Sequence, residues 1–257
     1  MKSIAYIVFA LLFLGSNYEL KAVDKQQMLD SFKAANEKYK AQEYFQALKT
    51  YKSVYNYGFE SADLYYNMGN AYYKNDSLPM SIWCYEKALL INPNFQEAKN
   101  NLDLANLSVA DKVQELPKMA LWYYWQKFKK LFTLRIWIII SVIFLWVIAV
   151  GIYLLMTQYV HWYKRIGIYL IIMGLVFSLI SGVVAATNAY QLNNPKSAIV
   201  TTSNVYAKSA PEENSADLFI IHSGLKVRFE DEIGEWVKIK LADGKTGWVL
   251  KKDLKSL

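Results

Sequence analysis

The sequence predicts a multidomain membrane protein: all-α helical repeats, then an α-helical transmembrane hairpin, then a small all-β barrel. Three observations carry this. Two stretches near the N-terminus match one another at an offset of 34 residues, two uncharged apolar runs lie mid-chain, and alternating strands punctuated by glycine turns fill the end. Helix pairs at a period near 34, apolar runs long enough for a bilayer, and period-2 strands each bury their apolar faces in a different way.

The totals set bounds on this reading. A chain of 257 residues holds two or three small domains, but not a large enzyme core beside a membrane region. The net charge is +7. Because many lysines flank apolar segments, a membrane surface is the expected partner and nucleic acid is not. Cys84 is the only cysteine, and His161 and His222 stand in separate regions, so a metal centre has almost no ligands to draw on. Neither histidine has a nucleophile grouped with it in sequence, and no GK[ST] phosphate loop occurs. The chain is therefore expected to be no enzyme and to hold no cofactor.

The N-terminus reads MKSIAYIVFALLFLGSNYELKAVDKQQ. Lys2 begins a short positive region, Ile4 to Leu14 an apolar core, and Leu20-Lys21-Ala22 a cleavage site, which makes residues 1–22 a secretory signal peptide. A retained signal anchor is the alternative and leaves the downstream topology unchanged.

Residues 25–110 carry the repeat. Aligned without a gap, Asn36 meets Asn70, Tyr39 meets Tyr73, Tyr51 meets Tyr85, and Ala35 meets Gly69, every pair 34 apart. With two helices per unit, this period marks a helix–turn–helix solenoid. The second unit carries Leu64, Gly69, Tyr72, Tyr85, Ala88 and Pro93, and in this it resembles the tetratricopeptide repeat family. The first carries Ala35, Tyr39, Ala47 and Tyr51 but ends at Gly58-Phe59 without the proline. NFQEAKNNLDLANLSV, after Pro93, reads as a capping helix. Gly69 should let the two helices of its unit approach closely, with Tyr65, Met68 and Tyr72 packed inward. The resemblance places Asn36, Tyr39 and Lys40, with Tyr66, Asn70, Tyr73 and Lys74, along a protein-binding groove. There asparagine amides would hydrogen-bond an extended peptide. In the subfamily that clamps a terminal carboxylate, basic residues stand where this chain has Phe32, Asn100 and Leu104, so that clamp is incomplete. Cys84, among Trp83 and Tyr85, is expected to be a buried, unreactive thiol.

Next comes LPKMALWYYWQKFKKLFTLR, in which Trp122, Trp125, Phe128 and Phe132 fall at helical spacing with lysines between them. Residues 117–135 read as an amphipathic helix in the membrane interface, or as an extension of the first span. Residues 136–156 and 166–186 are free of charge, and each is long enough to cross a hydrocarbon core of about 30 Å. The residues 157–165 between them are too few for a domain, so both flanking regions lie on one side. The signal peptide places that side outside the cytoplasm and Lys164 and Arg165 inside; Lys127, Lys129, Lys130 and Arg135 oppose this by the positive-inside rule.

Residues 197–257 are β-rich. In EWVKIKL, Val237, Ile239 and Leu241 alternate with polar residues, Asp243-Gly244 makes a hairpin turn, and Gly234-Glu235 makes another. SNVYAKSAP, GLKVRFEDEIGEWVKIKL and DGKTGWVLKKDL resemble a bacterial SH3 domain, an SH3-like barrel that in its family binds peptidoglycan stems or proteins. Trp236 and Trp248 are expected in its core.

The order of the segments resembles the BatE type of the Bat aerotolerance group. That resemblance implies a membrane-bound assembly component in the envelope of a Gram-negative bacterium, linked to stress or oxygen tolerance. Two interaction modules on one side of the inner membrane and no reactive site make it a non-enzymatic scaffold, with both modules facing the periplasm. The resemblance also implies partner proteins, among them membrane-anchored von Willebrand A-domain proteins and an AAA+ ATPase, alongside membrane lipid. A sensor signalling through the hairpin and a peptidoglycan-anchoring protein are the alternatives.

Overall fold

The computed structural model describes residues 25–114, 116–117, 119–156 and 161–257. The expected signal peptide lies outside them. Among the described residues, five helices form the N-terminal region: α1 (Lys25–Lys40), α2 (Tyr44–Asn56), α3 (Ala62–Lys74), α4 (Leu78–Ile91) and α5 (Gln96–Leu107). Local chemistry sets several of their ends. Ser61, in extended backbone, accepts a hydrogen bond from the Leu64 amide and starts α3; Pro79 occupies the first turn of α4, where its missing N–H costs nothing. Gln42 and Asp76 occupy equivalent positions 34 apart, and both adopt left-handed backbone to turn the chain between paired helices.

Small residues let these helices approach. Ala35, Ala47, Ala71, Ala88, Ala98 and Ala105 are buried, as are Tyr65, Met68 and Tyr72, the predicted inward stripe. A Cβ on Gly69 would stand 2.6 Å from Cε1 of Tyr85, so the glycine is what admits that ring between the helices of its unit. Cys84 is fully enclosed, and burial pushes its thiol pKa up, away from the reactive thiolate.

Helix α6 (Ala120–Lys129) is shorter than the predicted 117–135 and is a separate element, not an extension of the next helix. The chain turns at 130–133 before α7 (Leu134–Met156). Trp125 stacks on Phe128, and Phe128 and Phe132 both pack on Trp137 of α7 at 5.2 and 5.4 Å. Trp122 is not on that face; it is exposed with Tyr123 and Tyr124.

α7 and α8 (His161–Asn193) are both long and apolar enough to cross a membrane, with mean hydropathy 2.9 and 2.5 over their most apolar windows. Only 6% and 22% of those windows are buried, so these helices turn apolar side chains outward as a soluble core helix does not. α8 begins before the predicted 166 and runs past 186, because Thr187, Asn188 and Gln191 do not stop a helix and Pro195 does. The two helices pack where glycines face each other. A Cβ on Gly167 would meet the Gly151 carbonyl at 2.7 Å, and one on Gly174 would meet Ile148 at 2.6 Å. Gly167, Gly174 and Ser181 recur every seventh residue, the seam of a left-handed helix pair.

Seven strands close the chain: β1 (Ser197–Val200), β2 (Asn204–Lys208), β3 (Asp217–His222), β4 (Lys226–Ile233), β5 (Trp236–Lys240), β6 (Thr246–Leu250) and β7 (Leu254–Ser256), in sheet order β3-β2-β6-β5-β4-β1-β7. The described pairings are antiparallel. Gly234 and Gly244 have φ of +59° and +93°, as the two predicted hairpin turns require. The Lys245 amide donates to Asp243 and holds that carboxylate below the usual range. Val237, Ile239 and Leu241 point inward as their alternation predicts.

The strands dock on the helices through a shared core. Ile199 and Leu257 are buried in the helical cluster, and Gly224 packs on Ile82 and Val109. The Trp83 indole donates to the Ser256 carbonyl at 2.6 Å, with Lys87 and Lys255 over its ring. Lys226 pairs with Glu86 at 2.6 Å. The connector after α5 also lies against the strands: the His222 amide donates to Asp111 Oδ2 at 2.7 Å, and its Nδ1 lies 2.8 Å from Oδ1. Val113 packs on the strand core, and the Leu116 amide donates to Ala242.

Candidate functional site

The candidate groove is built by the first helices of successive units. Tyr51 donates to Asn36 Oδ1 at 2.6 Å, and Asn67 Nδ2 donates to the same oxygen at 3.0 Å. One unit later, Tyr85 donates to Asn70 Oδ1 at 2.8 Å, and Asn101 Nδ2 donates to it at 2.8 Å. Every member moves by 34 residues between the two sets. Burial raises the pKa of Tyr51 and Tyr85, so both stay neutral donors. Each asparagine oxygen accepts both bonds from within the protein, and only the Nδ2 of Asn36 and Asn70 is left for a ligand. The two asparagines expected to meet a peptide thus also hold each unit to the next.

Beside the first set lies a cleft of about 290 Å³, lined by Lys33, Asn36, Glu37, Tyr39, Lys40, Tyr51 and Asn67. Three predicted residues, Asn36, Tyr39 and Lys40, meet there. Lys40 reaches Glu37 at 2.8 Å and Lys33 reaches Asp30 at 3.8 Å; both pairs are exposed, so a ligand displaces them at little cost. The other four predicted residues lie further along. Tyr66 packs on Phe95 at 4.9 Å and Tyr73 is half-buried against the helical core. Asn70 is held by Tyr85 and Asn101 as above. Lys74 sits 5.8 Å over the Tyr44 ring, which meets Tyr39 edge-on at 5.1 Å, so Tyr44 joins the two halves of the predicted set.

Asn67, Asn101, Tyr44 and Lys33 escaped the sequence reading. Asn67 and Asn101 carried a usable signal, since they stand 34 apart like the pairs that were aligned.

In the strand domain one expectation is corrected. Trp236 and Trp248 are half-buried and do not join the strand core, which is made of Val237, Ile239, Val249 and their neighbours. Side chains alternate across a sheet, and both tryptophans fall on the face opposite that core. Trp248 is opposite Lys238 on β5 and Lys208 on β2.

Among the described residues, no group of three or more His, Cys, Asp or Glu side chains could hold a metal ion.

Residues 62–95, which span α3 and α4, match the family model of the tetratricopeptide repeat. Residues 202–255 match that of the bacterial SH3 domain. The chain joins these two domains. No curated protein matches it. The tetratricopeptide match stops at the second unit, and the first unit is assigned by the repeated Tyr–Asn–Asn bonding and by the paired turns at Gln42 and Asp76. The SH3 match omits β1, the strand that carries Ile199 into the helical core.

Proposed function

We infer that this chain is a non-enzymatic scaffold, anchored in a membrane by α7 and α8, that binds a partner protein in the tetratricopeptide groove. The observation that carries this reading is the cleft beside Asn36, where that residue's unspent amide group, Tyr39 and two loosely paired lysines meet on α1. Such a surface suits an extended, polar peptide segment better than a small apolar ligand. The order of modules further supports a role like that of the BatE type of protein, within an envelope complex for stress or oxygen tolerance. Its partners there would be von Willebrand A-domain proteins and an AAA+ ATPase, with both modules on the periplasmic side of the inner membrane.

The test must leave the Tyr–Asn–Asn sets alone, because changing Asn36 or Asn70 also loosens the fold. Lys33→Glu, Tyr39→Ala and Lys40→Glu together alter the cleft's surface. Tandem affinity purification from membranes should recover a partner with the unaltered chain and lose it with this variant, while circular dichroism stays unchanged. Equal recovery would remove the groove assignment.

A second reading, peptidoglycan binding, is favoured by one observation: Trp236 and Trp248 lie outside the barrel core. On that reading the detergent-solubilised chain sediments with purified sacculi and Trp248→Ala does not. Sedimentation of neither would exclude it.

A further inference from the structure

From Glu115 to Glu212 the sequence has no acidic residue between those two ends, yet it carries Lys118, Lys127, Lys129, Lys130, Arg135, Lys164, Arg165, Lys196 and Lys208. The whole stretch around α6, α7 and α8 therefore lacks any neutralising charge of its own. Most of these residues flank helices and sit in the open. Lys129 does not.

Lys129 ends α6 and is 4% exposed, the only buried charged side chain among the described residues. Three helices fix it. Its carbonyl accepts from the Trp137 indole of α7 at 3.1 Å and from Asn188 Nδ2 of α8 at 3.4 Å. Trp125 and Phe128, on its own helix, join Trp137, Val184 and Ala185 in one apolar cluster. No carboxylate among the described residues lies within ion-pair distance of it. Burial lowers its pKa, and the neighbouring Lys130 lowers it further. The ammonium is nevertheless not sealed in: among the described residues, the Tyr65 hydroxyl alone is a fully buried side-chain nitrogen or oxygen without a partner. The stem is enclosed and the tip reaches the surface, as a lysine does at a membrane boundary.

That boundary can be placed. Ile136 opens the charge-free part of α7, one residue past Arg135, and Trp122, Tyr123 and Tyr124 stand exposed on α6. Aromatic side chains of this kind settle at headgroup depth. The repeat domain reaches the same level, because Asn94 Nδ2 donates to the Leu131 carbonyl at 2.8 Å.

We propose that the crook between α6 and the start of α7 binds the headgroup of an acidic phospholipid, with Lys129 as its cation. A membrane phosphate would be the counter-charge that no carboxylate among the described residues supplies to Lys129. A headgroup seated there would brace α6 against the hairpin and hold the repeat domain at a set height above the bilayer.

This inference rests on the membrane reading, and the two fail differently. Carbonate extraction of membranes tests the reading itself; release of the chain would overturn both. For the site, the purified full chain in neutral detergent is melted with phosphatidylglycerol, with phosphatidylcholine, or with inorganic phosphate. Phosphatidylglycerol alone should raise Tm in a saturable way. Lys129→Gln should weaken that binding tenfold or more, and Lys129→Arg should largely keep it. Equal stabilisation by phosphatidylcholine, reproduction of the effect by inorganic phosphate, or unchanged affinity in Lys129→Gln would each overturn the proposal. If Lys129→Gln lowers the melting temperature without lipid, the ratio of its affinities for the two lipids still decides.

Discussion

Asn36 and Asn70 show how one residue type serves fold and site together. Each oxygen collects a tyrosine hydroxyl and the amide of an asparagine one unit on. Removing one hydroxyl leaves an acceptor with a single donor in a half-buried place. Tyr51→Phe and Tyr85→Phe should therefore each destabilise the repeat region by about 1 kcal/mol, the net worth of a typical hydrogen bond. Urea unfolding followed by circular dichroism reads this directly; no change in either variant would mean that the bonds add nothing to the fold. The 34-residue offset made Asn36, Asn70, Tyr51 and Tyr85 legible in the sequence. It did not show that Asn67 and Asn101 finish the sets, because that depends on how far one unit is displaced along the next. The tryptophans of the strand domain misled for a related reason. Large aromatic side chains suggest burial, but the phase of the alternation, set by Val237 and Ile239, puts Trp236 and Trp248 on the other face.

Among the elements, the two apolar helices were the most legible, since composition alone identifies them. Their ends were less so. Apolar content marks where a helix can enter lipid, whereas α8 continues through polar residues until Asn194-Pro195. At about 1.5 Å per residue, that continuation carries the helix well past a hydrocarbon core of about 30 Å and toward β1. Their pairing depends on close approach at Gly151, Gly167 and Gly174. Gly167→Leu would force the helices apart at a point where a Cβ already meets backbone. With Phe144→Cys and Phe177→Cys, at positions whose rings stack with centroids 5.0 Å apart, a short bifunctional thiol reagent should join α7 to α8 in the otherwise unaltered chain. The Gly167→Leu background should reduce that yield severalfold on gel mobility after proteolysis between the helices. An undiminished yield would show that the glycines are not what sets the helix distance.

At the scale of the whole molecule, the SH3 domain and the repeats are joined by contacts between residues far apart in the chain. Trp83 meets Ser256, Glu86 meets Lys226, and Asp111 meets His222. No local pattern could reveal them, because each residue reads as an ordinary helix or strand position. Their consequence for function is geometric. The barrel lies against α4 and the connector, while the cleft lies on α1 with Tyr51 and Asn67, so the docked SH3 domain leaves the groove open. A partner held in this groove, and not elsewhere on the repeat surface, would lie beside Lys40. A photo-crosslinking amino acid placed at Lys40 in the cleft, and in a second strain at exposed Lys49 on α2, tests this placement most directly in living cells. Position 40 should give a discrete adduct with another membrane or envelope protein, lost when Tyr39→Ala and Lys33→Glu are added, and position 49 should give none. Equal adducts from both positions, or one from position 49 alone, would contradict that placement.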